Sequence, residues 1–328
     1  MLQLPDGERY ERRIGSRHER RHERRHERRH SGHQPRAPAR RGREWPYRER
    51  QLTMNDRDRT EPVVDLQLDR AHSSRIYDYF LGGKTNFLAD RMAAADVANV
   101  FPAAPVAARI NREFMHRATR LLAASGMRQF LDIGTGIPTP PNLHEVAQSI
   151  APDARVVYTD NDPIVLAHAA ALLLSTPEGR TAYVQSDVND PEGILTAPQL
   201  LATLDLRKPV ALSLNALMHF VTDDGRDRAH TIVDTLKSAL PSGSTLTMTH
   251  GTADFAPEAM QKILDIYRAA GTTLQFRSRA AFLRFFDGWE LLEPGLALSH
   301  QWRPDHAGDA TRVTDAEAAC YAAVARKP

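Results

Sequence analysis

The stretch Gln129-Phe-Leu-Asp-Ile-Gly-Thr-Gly-Ile-Pro138 decides the fold of this chain. Its apolar residues predict a short buried strand. The following Gly134-Thr-Gly136 predicts a sharp turn, because glycine adopts backbone angles that other residues avoid. Prolines then delay the next helix, which we expect to begin near Asn142 as its N-cap. A strand, a glycine turn and a helix in this order predict the first half of a nucleotide-binding βαβ unit.

Acidic residues stand at the ends of the next two predicted strands. Asp160 closes the strand 154–160, and Asp187 follows the strand 181–186. Open α/β sheets bind ligands at the carboxyl ends of their strands, so both carboxylates are candidate binding groups. Asp160 has two interpretations: it binds the hydroxyls of a ribose, or it caps the helix that follows. Its combination with the glycine turn favours ribose binding.

The rest of the pattern alternates strands with helices. We expect further strands at 209–214, 244–249, 289–294 and 319–325, and helices at 164–174, 223–240, 257–270 and 279–286. This alternation predicts a parallel sheet with right-handed crossovers that finishes in an antiparallel pair. The last segment, 319–325, also fits a helix.

Three helices are predicted before the first strand. Apolar residues at helical spacing predict one helix that ends at Gly82-Gly83, a second at about 88–99 and a third at about 106–124. Because they precede the sheet, these helices can lie across the mouth of a ligand site. Tyr77 and Gly83 belong to an unusual cluster there, for which ordinary core packing and a lid over a ligand are the alternatives.

The first residues differ sharply in composition from the rest. Residues 1–50 hold 16 arginines, no lysine and 8 acidic residues, with Arg-His-Glu-Arg repeated between 17 and 28. So little apolar surface predicts a disordered tail. A basic arm, a His-rich metal tract and a solvated tail without specific function are alternatives for its role. Met54 opens a stretch typical of an ordinary start, so residues 1–53 are also a candidate start-site misassignment.

Composition limits the functions open to the remaining residues. Residues 51–328 hold 27 basic and 33 acidic residues, without a basic stripe that would indicate a nucleic-acid partner. The only cysteine, Cys320, excludes an intrachain disulfide, and we expect it to be a buried structural thiol. No apolar run approaches the roughly 20 residues of a membrane-spanning helix. We therefore expect a cytoplasmic protein that binds neither nucleic acid nor membrane.

The glycine turn departs from the two common phosphate-binding motifs. A dinucleotide-binding turn requires a third glycine, where this chain has Thr139, and no P-loop pattern is present. Instead, Asp132 stands two residues before the first glycine, and Asp160 and Asp187 end the next two strands. This combination resembles a class I S-adenosylmethionine-dependent methyltransferase.

Further segments carry a more specific resemblance. Residues 75–86, 130–136, 144–147 and 157–163 are similar to a largely uncharacterised family of actinobacterial S-adenosylmethionine-dependent methyltransferases. The resemblance covers about residues 65–328. It implies a Rossmann-like, seven-stranded class I methyltransferase sheet with an N-terminal helical extension and S-adenosylmethionine as cofactor. We therefore divide the chain into a tail (1–53), an N-terminal helical lid segment (54–126) and a methyltransferase domain (127–328).

The resemblance also implies roles for individual residues. Gly134 and Gly136 would lie beside the methionine portion of the cofactor, Asp160 would hold the ribose, and Asp187 with Val188 would contact the adenine. We expect the cofactor site to comprise Asp132, Gly134, Thr135, Gly136, Asp160, Asn161, Asp187, Val188, Tyr77, Gly83 and Asn215.

Catalysis of methyl transfer relies on alignment, with a base where the nucleophile must lose a proton. His219 follows the fourth strand, whose end should face the methyl group, so it is the candidate catalytic base. A packed side chain is the alternative for His219, and His250 after the fifth strand is a weaker candidate base. No residue spacing indicates a metal site.

The expected function is transfer of a methyl group from S-adenosylmethionine to a small-molecule acceptor. One alternative is a non-catalytic module that binds the nucleoside and regulates a partner. The other is an NAD(P)-linked oxidoreductase, which the missing third glycine disfavours.

Overall fold

The computed structural model describes residues 66–172, 174–306 and 308–328. The predicted tail at 1–53, with its alternative roles and start site, lies outside these residues, as does the beginning of the 54–126 segment. The described residues form strands and helices in alternation, as the sequence predicts. None of the helices within these ranges is long and apolar enough to cross a membrane.

The strands and helices have the following bounds. The strands are β1 Gln129–Ile133, β2 Arg155–Asp160, β3 Arg180–Gln185, β4 Ala211–Leu214, β5 Thr245–Gly251, β6 Glu290–Leu291, β7 Ala297–Leu298 and β8 Cys320–Arg326. The helices are α1 Ser73–Phe80, α2 Leu88–Val100, α3 Ala104–Ala124, α4 Leu143–Ile150, α5 Pro163–Leu172, α6 Pro191–Thr196, α7 Pro198–Leu201, α8 Arg228–Ser238, α9 Pro257–Ala269, α10 Arg279–Leu283 and α11 Asp315–Ala318. Short 3₁₀ helices lie at Met218–Phe220, Arg284–Phe286 and Asp309–Thr311.

The strands form one mixed sheet in the order β3-β2-β1-β4-β5-β8. The first five strands pair in parallel, and β8 pairs antiparallel with β5. The short strands β6 and β7 both pair with β8, near its end and near its beginning. They therefore share one edge position, so that eight strands fill the seven positions of the class I methyltransferase sheet. This order confirms the predicted fold and the closing antiparallel pair.

Both faces of the sheet are buried, as expected for parallel strands covered by helices. Neighbouring residues of β1 point to opposite faces. Phe130 belongs to an apolar cluster with Phe114 of α3, whereas Leu131 belongs to a second cluster with Ile232 of α8. The central strands are therefore anchored from both sides, and their carboxyl ends have fixed positions.

Helix bounds agree with the sequence except at α8. We expected this helix to begin at 223, but it begins at Arg228 because the preceding residues form a turn. Gly225 and Asp227 have positive φ values of 83° and 50°, which a continuous helix does not allow. Asp223 accepts a hydrogen bond from the backbone N–H of Ala229 at 3.0 Å and thereby satisfies one of the free donors at the helix start. The short helices α6, α7 and α11 were not predicted.

Candidate active site

A cavity of about 280 Å³ lies at the carboxyl ends of the parallel strands. The edge at which the predicted acids and glycines converge is therefore also where the fold leaves space for a ligand. The predicted site residues that line this cavity are Tyr77, Asp132, Gly134, Thr135, Gly136, Asp160, Asn161, Asp187, Val188, Asn215 and His219. Gly83 is the one predicted residue that lies outside the lining.

The glycine turn after β1 forms one wall of the cavity. Gly134 and Gly136 have φ values of 75° and 68°, which favour glycine over residues with a Cβ. A Cβ on Gly134 would lie 2.6 Å from Cδ1 of Leu217, so the side chain of Leu217 leaves no room for a larger residue at this position. Gly136 faces more open space, because a Cβ at this position would have Cβ of Ser74 as its nearest neighbour, 4.0 Å away.

Asp160 is fixed at the end of β2 by two backbone donors. One carboxylate oxygen accepts the N–H of Gly136 at 2.8 Å, and the other accepts the N–H of Asp162 at 3.0 Å. Burial raises the pKa of Asp160, and these two hydrogen bonds oppose that effect. Asp160 therefore joins the glycine turn to the start of α5 and presents a carboxylate on the cavity wall.

Asp187 is held at the end of the neighbouring strand β3. Its carboxylate accepts hydrogen bonds from Nδ2 of Asn161 at 3.0 Å and from the backbone N–H of Asn189 at 2.8 Å. Val188 is buried beside it. The structure thus brings Asn161, Asp187 and Val188 together in the wall of the cavity.

Asp132 is a buried carboxyl group at the base of the glycine turn. Burial raises its pKa to about 6, while hydrogen bonding from Ser213 and the positive charge of Arg112 act in the opposite direction. Arg112 lies on α3, lines the cavity and donates hydrogen bonds to the carbonyls of Thr139 and Pro141. Sequence reasoning missed Arg112, because one arginine among several on a surface helix gives no signal.

Two buried amide oxygens in the cavity wall have no hydrogen-bond partner within the described ranges. They are Oδ1 of Asn215 and Oδ1 of Asn111. Nδ2 of Asn111 donates to the hydroxyl of Tyr77 at 2.8 Å, and that hydroxyl donates to the carbonyl of Ala108 at 2.9 Å. Buried acceptors are normally paired, and these two oxygens are exceptions in the cavity wall.

Gly83 belongs to a local structural contact instead of the cavity. A Cβ at this position would lie 1.9 Å from Oδ1 of Asp78, so only glycine fits. The other carboxylate oxygen of Asp78 accepts hydrogen bonds from the backbone of Thr85 and from Nδ2 of Asn86, at 2.9 and 2.8 Å. The unusual cluster in the sequence therefore stabilises the connection between α1 and α2.

The two candidate histidines occupy different environments. His219 lines the cavity, where burial and, to a lesser degree, the charge of Arg277 lower its pKa to about 3. His250 lies behind it, fully buried and outside the lining. Nε2 of His250 accepts from Arg277 at 2.9 Å, and its Nδ1 donates to the carbonyl of Gly251 at 2.7 Å. Both ring nitrogens of His250 are therefore used in structural contacts.

Apolar side chains from the N-terminal helices, α9 and nearby loops line the other half of the cavity. They include Phe80, Val97, Phe101, Phe220, Met260, Ile263, Leu274 and Phe276. Tyr267 adds a phenol ring 5.9 Å from the ring of Phe220, and burial raises its pKa. Cys320 also lines the cavity, and burial raises the pKa of its thiol to about 12, which fits the predicted structural role.

A buried ionic contact holds α1 against the wall of the cavity that carries the glycine turn and Asp160. Nε of Arg75 lies 3.2 Å from Oδ2 of Asp162, and both side chains are almost completely buried. The same oxygen accepts a hydrogen bond from Oγ of Ser74 at 3.0 Å and lies 3.2 Å from Nδ1 of His72. These partners are some 90 positions apart along the chain, which is why sequence reasoning missed His72 and Ser74 as lining residues.

Within residues 66–172, 174–306 and 308–328, no group of three histidine, cysteine or acidic side chains is placed to hold a metal ion. Of the acids of the cavity, Asp160 and Asp187 accept hydrogen bonds from backbone and amide donors.

Comparisons with known proteins agree on one family. Residues 59–328 match the model of a family described as S-adenosyl methyltransferase. The chain is 52% identical to a DUF574 family protein from Streptomyces avermitilis, with a TM-score of 0.78 over 80% of this chain and 100% of that one. It is 38% identical to a candidate methyltransferase from Thermobifida fusca, with a TM-score of 0.74 over 82% of this chain and 99% of that one. No protein of curated function matches the chain.

Both solved structures come from actinobacteria and span nearly the whole described region, which confirms the resemblance seen in the sequence. The family match covers the glycine turn, the acidic strand ends and the apolar half of the cavity together. The chain belongs to the S-adenosyl methyltransferase family and is an S-adenosylmethionine-dependent methyltransferase.

Proposed function

We propose that this enzyme methylates a small, mostly apolar acceptor. The observation that carries the proposal is the lining of the cavity beyond the glycine turn, which is formed by aliphatic and aromatic side chains such as Phe101, Phe220, Ile263 and Phe276. Such a surface binds apolar ligands by removing their surface from water.

The polar half of the cavity fits S-adenosylmethionine. Asp160 is our candidate for the ribose hydroxyls, since a carboxylate accepts two hydrogen bonds side by side. Asp187 and Val188 are candidates for contacting the adenine, Asp187 by a polar contact and Val188 by an apolar one. Asn215 lines the cavity with Gly134 and Gly136 and is our candidate for the methionine portion. Thr135 and Asn161 complete this half.

Alignment is the main task that this proposal assigns to the protein. Bound S-adenosylmethionine would supply a methyl group on a positively charged sulfur. An acceptor attacks the carbon of this methyl group from the side opposite the sulfur. The chain holds the two reactants in adjoining halves of one cavity, so the reaction gains from proximity and orientation. Apolar walls also exclude water from the acceptor half.

The N-terminal helices act as a lid in this proposal. Helices α1 and α2 contribute Phe80 and Val97 to the acceptor half, and Phe101 lies in the connection between α2 and α3. Helix α3 adds Ala104, Ala107 and Ala108. The buried contact between Arg75 and Asp162 ties this lid to the turn that follows β2, next to Asp160. We keep the division into a lid segment at 54–126 and a methyltransferase domain at 127–328 as part of the proposal.

The same observations weigh against the alternatives. A non-catalytic module that binds only the nucleoside needs no second, apolar half of the cavity. An NAD(P)-linked oxidoreductase would require a third glycine where Thr139 stands. The excess of acidic over basic residues in 51–328 supports a small-molecule acceptor over nucleic acid. The single cysteine supports the proposed cytoplasmic location.

The experiment is a transfer assay with S-adenosylmethionine that carries a radioactive methyl group. The full chain is incubated with a panel of small aromatic phenols and amines, with bulk tRNA and with cell protein. We expect label to appear in one or more small aromatic compounds. Label that appears only in tRNA or protein would refute the proposed acceptor class.

A further inference from the structure

His219 lies between the two halves of the cavity. It belongs to the 3₁₀ helix Met218–Phe220. Two residues earlier, the side chain of Leu217 packs against Gly134 of the glycine turn. On its other side, the ring of His219 lies 4.5 Å from the ring of Phe220 in the acceptor half. The imidazole therefore lines the cavity between residues of its polar and apolar halves.

The hydrogen bond of His219 fixes its tautomer. Nδ1 lies 3.3 Å from the backbone nitrogen of Gly251, in hydrogen-bond geometry. A backbone N–H only donates, so Nδ1 must be the acceptor and carries no proton. The proton of the neutral ring is then on Nε2. Nε2 makes no hydrogen bond to any residue in the described ranges, so this N–H is available to a ligand.

The surroundings keep His219 neutral. Burial and the guanidinium of Arg277 both disfavour the imidazolium, which lowers the pKa of His219 to about 3. The other titratable ring nearby is His250, at 5.5 Å between ring centroids, and it is locked as a neutral ring by Arg277 and Gly251. Arg277 itself is paired with the carboxylate of Asp223 at 2.6 Å. A ring in this state is a poor proton acceptor.

We infer that His219 acts as a hydrogen-bond donor, and that its Nε2–H binds and orients an ionised oxygen of the methyl acceptor. This inference rests on the proposed function. It narrows the acceptor to aromatic molecules with an acidic hydroxyl, such as phenols and enols, because an N–H donor stabilises the ionised form of the group that it contacts.

The chemical balance of this step requires no base from His219. The acidic hydroxyl releases its proton to bulk solvent before the acceptor enters the cavity. Its oxygen then forms the new bond to the methyl carbon while the carbon–sulfur bond breaks, and the sulfur keeps that electron pair. A negative oxygen and a positive sulfur become a neutral ether and a neutral thioether. His219 retains its proton throughout.

The first test measures the tautomer directly and needs no acceptor. Nitrogen-15 NMR of the full chain with labelled histidine separates protonated from unprotonated ring nitrogens, and the signals of His219 are assigned by their loss in His219→Gln. We expect a proton on Nε2 and no titration between about pH 5 and pH 9. A proton on Nδ1, or protonation of the ring within that range, would overturn the inference.

The second test measures binding of 4-nitrophenol in the presence of S-adenosylhomocysteine, since the absorbance of this dye distinguishes phenol from phenolate. Glutamine places an amide N–H near the position of Nε2 but is not basic, whereas phenylalanine supplies no donor. We expect the wild type to bind the phenolate, His219→Gln to bind within a few-fold of it, and His219→Phe to bind about 10- to 100-fold more weakly.

The outcomes separate the inference from the proposed function. Equal loss of binding in the glutamine and phenylalanine variants, with unchanged melting temperatures, would overturn the donor role. Absence of phenol binding by the wild type, together with the expected NMR tautomer, would overturn the acceptor class while the tautomer stands.

Discussion

The substitution Asp160→Asn tests the proposed ribose contact at the end of β2. The two oxygens of Asp160 accept backbone N–H groups at 2.8 and 3.0 Å. Asparagine can replace only one of these acceptors, because its amide nitrogen would face the second N–H donor. It also removes the negative charge that strengthens a hydrogen bond to a ribose hydroxyl.

The expected loss follows from these contacts. One charge-assisted hydrogen bond contributes about 1.5–3 kcal/mol, so affinity for S-adenosylhomocysteine should fall about 10- to 100-fold. Stability should change far less. Burial already disfavours the charged form of Asp160, as its raised pKa shows, so removal of the charge offsets part of the lost backbone contact.

Calorimetric titration with S-adenosylhomocysteine measures the affinity, and thermal unfolding confirms the fold. Asp153→Asn is the matched control, because it removes the same charge at the opposite end of β2, where Asp153 is exposed and paired with Arg128. We expect the control to bind as the wild type does. Unchanged affinity in a folded Asp160→Asn variant would refute the role of this carboxylate.

Three further substitutions test other parts of the account. Folding raises the pKa of Asp132 from 3.8 to about 6. The cofactor-free protein should therefore lose stability as the pH rises between those two values, because the folded state holds the proton more tightly than the unfolded state. Asp132→Asn should remove this loss and raise the free energy of unfolding at pH 8 by up to about 3 kcal/mol. Gly134→Ala places a Cβ 2.6 Å from Leu217 at a φ of 75° and should lower the melting temperature and weaken cofactor binding at least tenfold. Asp162→Asn removes the carboxylate nearest to the buried Arg75, which keeps Asp90 at 3.8 Å, and should destabilise the protein by up to about 3 kcal/mol in denaturant unfolding.

Each substitution has a control. For Asp132→Asn, the wild-type pH profile is compared with that of Asp153→Asn, and an unchanged slope in the Asp132 variant would contradict the raised pKa. Gly126→Ala is the control for Gly134→Ala, because Gly126 also has a positive φ but a Cβ there would have no atom within 4 Å. An equal loss of cofactor binding in both variants would contradict the proposed clash with Leu217. Asp205→Asn breaks an exposed pair with Arg207 and should change the free energy of unfolding little. An equally small change in Asp162→Asn would show that the buried contact contributes little.

The sheet and most of the cofactor half could be predicted from the sequence because their signals are local. The glycine turn, Asp132, Asp160 and Asp187 are each fixed by their position relative to a strand end. Neighbouring strand ends necessarily meet at one edge of a parallel sheet. These residues can therefore be placed together from the sequence alone.

Other features depend on contacts that no local pattern encodes. Arg75 and Asp162 are in contact although they lie far apart along the chain. Gly83 resembles a ligand-binding glycine in the sequence, but a contact with Asp78 explains it. His219 was expected to be a base from its place after β4. Its tautomer depends on the N–H of Gly251, which a separate strand supplies.

A structure of the full chain with bound S-adenosylhomocysteine tests the central claim most directly. The account predicts the ribose hydroxyls at the carboxylate of Asp160, the adenine beside Asp187 and Val188, and the sulfur facing the apolar half of the cavity near His219. Electron density that places the nucleoside in the apolar half, or away from Asp160, would contradict the account.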